Sequence, residues 1–250
     1  NIYDKVEEVL TALDEVATAI GALAVFKHTC GLLASGLNSK GRLSAFMPGY
    51  HTAEKDALLR DLGINVNFAP VCDVSTDPSD FIYARSFGMD AEQTGEYVRT
   101  VVTQMVSDKT GMVLKHFPGY GNNADTHTGI ALDARPYTTF EKSDLVPFES
   151  GIAAGAPFVL VSHNIVECMD GAYPASLSAK VHTLLRDTLG FTGVIVTDDL
   201  AMDAVKAYAQ DGSAAVLAIQ AGNDMIVTTD YQTQIPQVIA AVQYGEIAES

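Results

Sequence analysis

Five times after residue 52, a stretch of helical spacing runs through a glycine or polar turn into a short β-branched or aliphatic segment. This recurrence constrains the fold more than any other feature of the chain. Helices around residues 53–62, 90–107, 145–154, 178–189 and 213–221 lead to strands at 65–71, 111–116, 158–163, 193–198 and 224–228, and a last helix lies near 235–243. Strands that are apolar on both faces are covered by helices on either side. Their alternation with helices implies parallel strands joined by crossover helices. No Gly-x-Gly-x-x-Gly follows the first strand, so a dinucleotide-binding sheet loses support. Ionisable residues instead stand at the strand C-termini: Asp73, Lys115, His116, His163 and Asp198. In a (β/α)8 barrel that end is where catalysis is built. The expected fold is therefore α/β, a (β/α)8 TIM-type barrel. Residues 2–20 have helical spacing and residues 22–26 offer a sixth strand. Eight are needed, so the barrel is expected to be incomplete or unconventional in its N-terminal part.

A length of 250 residues suits one such domain, here expected to span residues 1–250. The net charge of −16, from 15 basic against 31 acidic residues, lacks the basic surface that nucleic acid requires. Cys30, Cys72 and Cys168 form no CxxC pair, which argues against a zinc knuckle, a redox motif or a disulfide framework. No apolar run is long enough for a transmembrane span. The first ten residues carry four charges, unlike a signal peptide, so the chain reads as a fragment or a mature form.

The most informative segment runs from Lys115 to His127, Lys-His-Phe-Pro-Gly-Tyr-Gly-Asn-Asn-Ala-Asp-Thr-His, from a strand into a Gly-rich loop. Asp125 and His127 are two apart. In an extended segment the carboxylate can lie against the imidazole, orient it and raise its pKa, which makes a proton donor near neutrality. A surface histidine beside an acid is the other reading. The second segment is Val194-Ile195-Val196-Thr197-Asp198-Asp199-Leu200. One acid can act as a nucleophile while the other caps the following helix. Asp199 is read as the helix-terminus acid. Lys115 and His116 suit either hydrogen bonding to sugar hydroxyls or an ion pair with a barrel-facing acid such as Asp73. Arg85, read as following a strand, admits the same pair of uses. His163 fits a core histidine as well as a site residue. His28, His51 and His182 are read as structural.

Lys-His-Phe-Pro-Gly-Tyr-Gly, Asp-Thr-His and Val-Thr-Asp-Asp-Leu-Ala-Met together closely resemble glycoside hydrolase family 3, in its β-N-acetylglucosaminidase branch. The segments at residues 67–74, 85–88, 147–148 and 221–225 fit the same branch. The resemblance covers roughly residues 58–248 and leaves 1–57 poorly matched. It implies a barrel domain of the family's N-terminal type. It also implies a retaining hydrolase that releases terminal β-linked N-acetylglucosamine from cell-wall fragments or chitooligosaccharides. By resemblance, Asp198 is the nucleophile, His127 the acid/base and Asp125 its partner. Arg85, Lys115, His116, His163, Tyr120 and Met202 are placed on the sugar side, although aliphatic neighbours make packing the simpler use of Met202. An aspartate with a histidine supplies two protonation states at neutral pH without two carboxylates repelling each other.

Two departures stand out. The family's early Val-Asp-x-Glu-Gly-Gly-Arg strand has no equivalent in residues 1–57. Tyr120 replaces the usual histidine of Lys-His-Phe-Pro-Gly-His-Gly. The alternatives are a glycoside phosphorylase that uses phosphate, or an inactive sugar-binding barrel fragment. No metal or cofactor is expected, and the partner is a carbohydrate. A bacterial origin is implied, with an extracellular or envelope location expected and the cytoplasm as the alternative.

Overall fold

Parallel strands with outer helices form the framework, and apolar runs held between two layers are the reason. The computed structural model describes residues 47–123, 131–208 and 213–248. Apart from Met47 and Pro48, these lie in one compact unit, Gly49–Ser250. The helix expected at residues 2–20 and the strand expected at 22–26 lie outside the described residues, as do His28 and Cys30.

Helix α1 is Met47–Asp61, and β1 is Val66–Asn67. Helix α2, Ala91–Asp108, starts where the Asp90 side chain accepts a bond from the Gln93 amide. Strand β2 is Gly111–Phe117 and β3 is Leu132–Asp133. Helix α3, Leu145–Ala153, follows a π-helical turn at Phe140–Asp144. Strands β4, Phe158–Val161, and β5, Ile165–Val166, come next. Helix α4, Ala179–Thr183, is capped by Ser178 and continues as a π-helical turn, Leu184–Thr188, where the sequence spacing reads as one α-helix. Strand β6 is Val194–Thr197, followed by α5, Ala214–Ala221, and α6, Tyr231–Gln243.

Among the described residues the main sheet is open, with order β1-β2-β4-β6 and every pair parallel. Two strands are shorter than their apolar runs. The run at 65–71 gives β1 and a separate bridge from Val71 to Lys115, because the Ala69 amide turns back to the Asn67 carbonyl at 2.8 Å instead of joining the ladder. The run at 224–228 gives a single parallel bridge, Met225 to Val196.

Side chains alternate across the strands as a pleated sheet requires. Met112, Leu114, Val159, Val161 and Ile195 face the large core with Val98, Val101, Val102 and Met105 of α2 and Phe148 of α3. Val113, Leu160 and Val196 form a smaller cluster on the other face. Fully burying each such side chain stabilises the fold by about 1.5–3 kcal/mol. The helical face of the sheet therefore carries most of the apolar stabilisation, which frees the strand ends for polar residues.

Register places those ends together. Val71 pairs with Lys115, Phe117 with Val161, and Val161 with Thr197. Asp73, His116, His163 and Asp198 thus lie at the C-terminal end of one sheet, as the repeated pattern predicts.

Candidate active site

Asp73 is the hub of this sheet end. Its side chain is 0% exposed and that of His116 is 4% exposed. One Asp73 oxygen, Oδ2, accepts from His116 Nδ1 at 2.8 Å and from the His116 amide at 3.2 Å. The other, Oδ1, accepts from the Tyr120 amide at 2.8 Å. A buried carboxylate without partners is costly. Three N–H donors explain why this one is tolerated. The pairing of His116 with Asp73 is therefore realised, as a hydrogen bond.

The partners also fix the proton on the imidazole. An ionised carboxylate only accepts, so Nδ1 carries the hydrogen. Arg85 Nη2 lies 3.2 Å from His116 Nε2. A guanidinium only donates, so Nε2 presents a lone pair and the ring is neutral. Arg85 does not follow a strand, contrary to the sequence reading. It ends a 3-10 turn, Tyr83–Arg85. The reason is local: Asp77 Oδ1 accepts the Ser79 amide and hydroxyl, and this turn bends the chain after Pro78.

His163 is held in the opposite tautomer. Its Nε2 faces the Asp199 carbonyl at 3.0 Å and so donates, while Nδ1 accepts from the Ser176 hydroxyl at 2.7 Å. His163 thereby grips the carbonyl of Asp199, the residue after Asp198. Asp198 is half-buried at the end of β6, its amide bonded to the Val161 carbonyl. Its Oδ1 accepts from the Asp199 amide at 2.9 Å.

Asp199 is not a helix cap. Its Oδ1 accepts from the Ala201 amide at 2.9 Å and from the Thr229 amide at 3.0 Å, clasping the loop after β6 to the segment after Met225. The next helix, Asp203–Lys206, begins at Met202 without a side-chain cap. Burial would raise the Asp199 pKa, but the Ala201 and Thr229 bonds outweigh it and hold the group below the usual carboxylate range. Met202 is buried, consistent with packing. Lys115 is half-buried on β2, its carbonyl accepting from the Cys72 amide at 2.6 Å. Tyr120 is buried, with its ring edge-on to His116 at 5.6 Å between centroids.

Asp125 and His127 lie outside the described residues. The described residues on either side of them form a network that sequence reading missed. Arg135 bridges Asp133, at 2.8 Å, and Asp144, at 3.0 Å. Both carboxylates are 1% exposed. Asn123 Nδ2 donates to Asp133 Oδ2 at 2.6 Å, joining residues on either side of 124–130. The glycines of the loop fit this network. Gly119, at φ +121°, would place a Cβ 2.7 Å from Asp144, and Gly121, at φ +53°, would run a Cβ into the Arg135 guanidinium. The available signal was Asp133-Ala134-Arg135 directly after a Gly-rich segment.

The N-terminal domain of glycosyl hydrolase family 3 matches residues 37–250. The chain belongs to this family. A β-hexosaminidase of Nitrosomonas eutropha is 34% identical over 190 residues, which cover 75% of this chain and 54% of that protein. A β-hexosaminidase of Xylella fastidiosa is 36% identical over 171 residues, covering 68% and 50%. The chain thus spans about half the length of these curated family 3 relatives. Among solved structures, a family 3 β-N-acetylglucosaminidase from Paenibacillus sp. has a TM-score of 0.77 at 32% identity, covering 82% of this chain and 40% of that one. A β-N-acetylhexosaminidase from Beutenbergia cavernae has a TM-score of 0.73 at 32% identity, covering 82% and 64%. The α/β fold of the TIM-type barrel class is shared with these family 3 structures, although no closed barrel is formed among the described residues.

Proposed function

We propose that this family 3 chain carries the catalytic barrel of a retaining β-N-acetylhexosaminidase, releasing terminal β-linked N-acetylglucosamine from cell-wall fragments or chitooligosaccharides. The observation that carries the proposal is the position of Asp198. It directly follows β6, and that sheet end also holds the Asp73–His116–Arg85 chain. The resemblance of the chain to named β-hexosaminidases supports the same reading.

In this reading Asp198 attacks the anomeric carbon while His127, oriented by Asp125, protonates the leaving oxygen. Water then releases the sugar with His127 acting as base. Arg85 and Lys115 hold sugar hydroxyls. Release of chromophore from an aryl β-N-acetylglucosaminide tests the activity, and a wild-type protein that leaves it intact defeats the proposal.

His127→Ala should lose roughly 10²–10⁴-fold in rate on a natural glycan, whose leaving group needs protonation. The loss should be smaller for glycosylation by an activated aryl substrate, and azide should restore its turnover. Equal losses on both substrates without azide rescue would remove His127 from the acid/base role.

A further inference from the structure

We propose that Asp56 and Asp108 share one proton across the contact between α1 and α2, which makes this contact a pH-sensitive latch, tight in acid and loosened at neutral pH. Asp108 ends α2 three residues before β2 begins, so the pair lies at the N-terminal end of the sheet, away from Asp198. The inference is therefore independent of the glycosidase reading.

The geometry comes from one face of α1. Gly49, Thr52, Asp56 and Arg60 recur at helical spacing along it. At one end of this stripe, a Cβ on Gly49 would lie 3.8 Å from Thr100 and 3.9 Å from Gln104 of α2. At the other end, Arg60 Nη1 donates to the Asp108 carbonyl at 2.7 Å and to the Thr110 hydroxyl at 3.4 Å. The two helices thus run side by side in the same direction, and Asp56 falls between Gln104 and Asp108. Arg60 supplies the cation that the C-terminus of α2 favours. Its guanidinium is directed to the backbone and makes no hydrogen bond to Asp56.

Asp56 is 0% exposed, and neither of its oxygens has a hydrogen-bond donor among the described residues. Asp73 is as deeply buried but accepts from three N–H groups. An ionised Asp56 left without donors would be costly. The side chain it meets is the Asp108 carboxyl, whose Oδ2 accepts from Gln104 Nε2 at 2.9 Å. Two carboxylates only accept, so they bond to each other only when one keeps its proton. Burial drives the Asp56 pKa up to about 6. Lys55 and Arg60 on its own helix pull it down, and Asp108 pushes it up by its charge and its hydrogen bond. A carboxyl raised in the fold binds its proton more tightly folded than unfolded. Its contribution is present below the unfolded pKa and is lost as pH climbs through the folded value.

The test is hydrogen exchange of the α1 amides between pH 4 and pH 8, corrected for the intrinsic exchange rate, with the ¹³C signal of the Asp56 carboxyl followed in the same titration. All samples contain EDTA, so that no divalent cation takes the place of the proton. Asp56 should titrate near 6. Protection of α1, measured against the amides of β2 and β4, should fall with rising pH by up to roughly 100-fold, the factor that corresponds to about two pH units. Asp56→Asn sets a permanent NH2 donor against the Asp108 carboxylate, so its α1 protection should stay at the acid level up to pH 8. Asp108→Asn should do the same from the other side, because its amide can donate to Asp56 while its oxygen keeps the bond from Gln104.

A wild-type Asp56 that titrates near the ordinary carboxylate value of about 4 overturns the proposal. So does α1 protection that is flat across the titration, or a pH dependence that survives in Asp56→Asn. The wild-type titration needs no variant, so the question is decided even where a substituted chain fails to fold.

Discussion

Asp198→Asn should abolish turnover of an aryl β-N-acetylglucosaminide while leaving the fold intact. The asparagine keeps an oxygen where Asp198 Oδ1 accepts the Asp199 amide at 2.9 Å, and the amide-to-carbonyl bond to Val161 involves only backbone. The melting temperature should hardly move. What disappears is the negative oxygen that forms the glycosyl-enzyme. Removing a covalent nucleophile in a serine protease costs on the order of 10⁶-fold in kcat. Asp199→Asn gives the contrast. Its oxygen still accepts from Ala201 and Thr229, and only the charge is lost, so measurable activity should remain. The Asp199 pKa is held low in the fold. Its contribution to stability is present above the unfolded carboxylate pKa and is lost as pH falls through the folded value. Asp199→Asn should therefore cost stability at neutral pH and little at strongly acidic pH. A 2-fluoro sugar trapped on the wild type and mapped by mass spectrometry settles the nucleophile, since a label on any residue but Asp198 rejects the assignment.

The framework around Asp198 is readable from sequence because its signal is local. Val194-Ile195-Val196-Thr197 is apolar on both faces, bounded by Gly193 and by two acids, and can scarcely be anything but a buried strand with a polar end. The pairing of His116 with Asp73 was legible only as one of two uses. The residues are 43 apart in sequence, and it is parallel register that brings Val71 beside Lys115. Periodicity specifies which face a side chain takes, not which strand will be its neighbour. Tautomers lie further out of reach, because they depend on partners such as Arg85 and Ser176 that no spacing rule supplies. Asp199 was misread for a related reason. An acid after a strand suggests a helix cap, yet the next helix starts four residues later and the nearest unpaired amides belong to Ala201 and Thr229. The Arg135 network was missed because each of its members looks like an ordinary surface charge. Only the fold shows that two carboxylates 11 residues apart are both buried around one guanidinium.

Arg135→Met should be among the most destabilising single substitutions available outside the apolar core. The guanidinium makes paired contacts with both acids: Nε and Nη2 donate to Asp133 at 2.8–3.0 Å, and Nη1 and Nη2 to Asp144 at 3.0–3.1 Å. It also stacks over the Phe140 ring at 4.4 Å. Burial by itself would lower the guanidinium pKa, but hydrogen bonds to Asp133 and the charge of Asp144 outweigh it, and the pKa is raised. Burial pushes Asp144 up to about 6, against the downward pull of Arg135. Removing the arginine leaves two buried carboxylates facing each other, and breaking a buried pair in this way costs about 3–5 kcal/mol. For a unit of this size that is a fall of roughly 10 °C in melting temperature. The pH dependence has a definite sign. Asp144 is raised in the fold, so the folded state binds more protons than the unfolded one between the unfolded and folded pKa values, and stability falls as pH climbs through that window. Without Arg135 the upper limit of the window moves higher, so Arg135→Met should be least harmful near pH 4 and most harmful at neutral pH. Arg135→Met combined with Asp144→Leu should recover part of the loss, since one uncompensated charge is gone. The effect should reach the residues before 124 as well, because Gly121 rests on the guanidinium and Asn123 is bonded to Asp133. Thermal unfolding of the two variants between pH 4 and pH 8 decides the matter. A single variant as stable as the wild type at neutral pH, or one that gains stability as pH rises, would show that the bridge does not hold this part of the fold together.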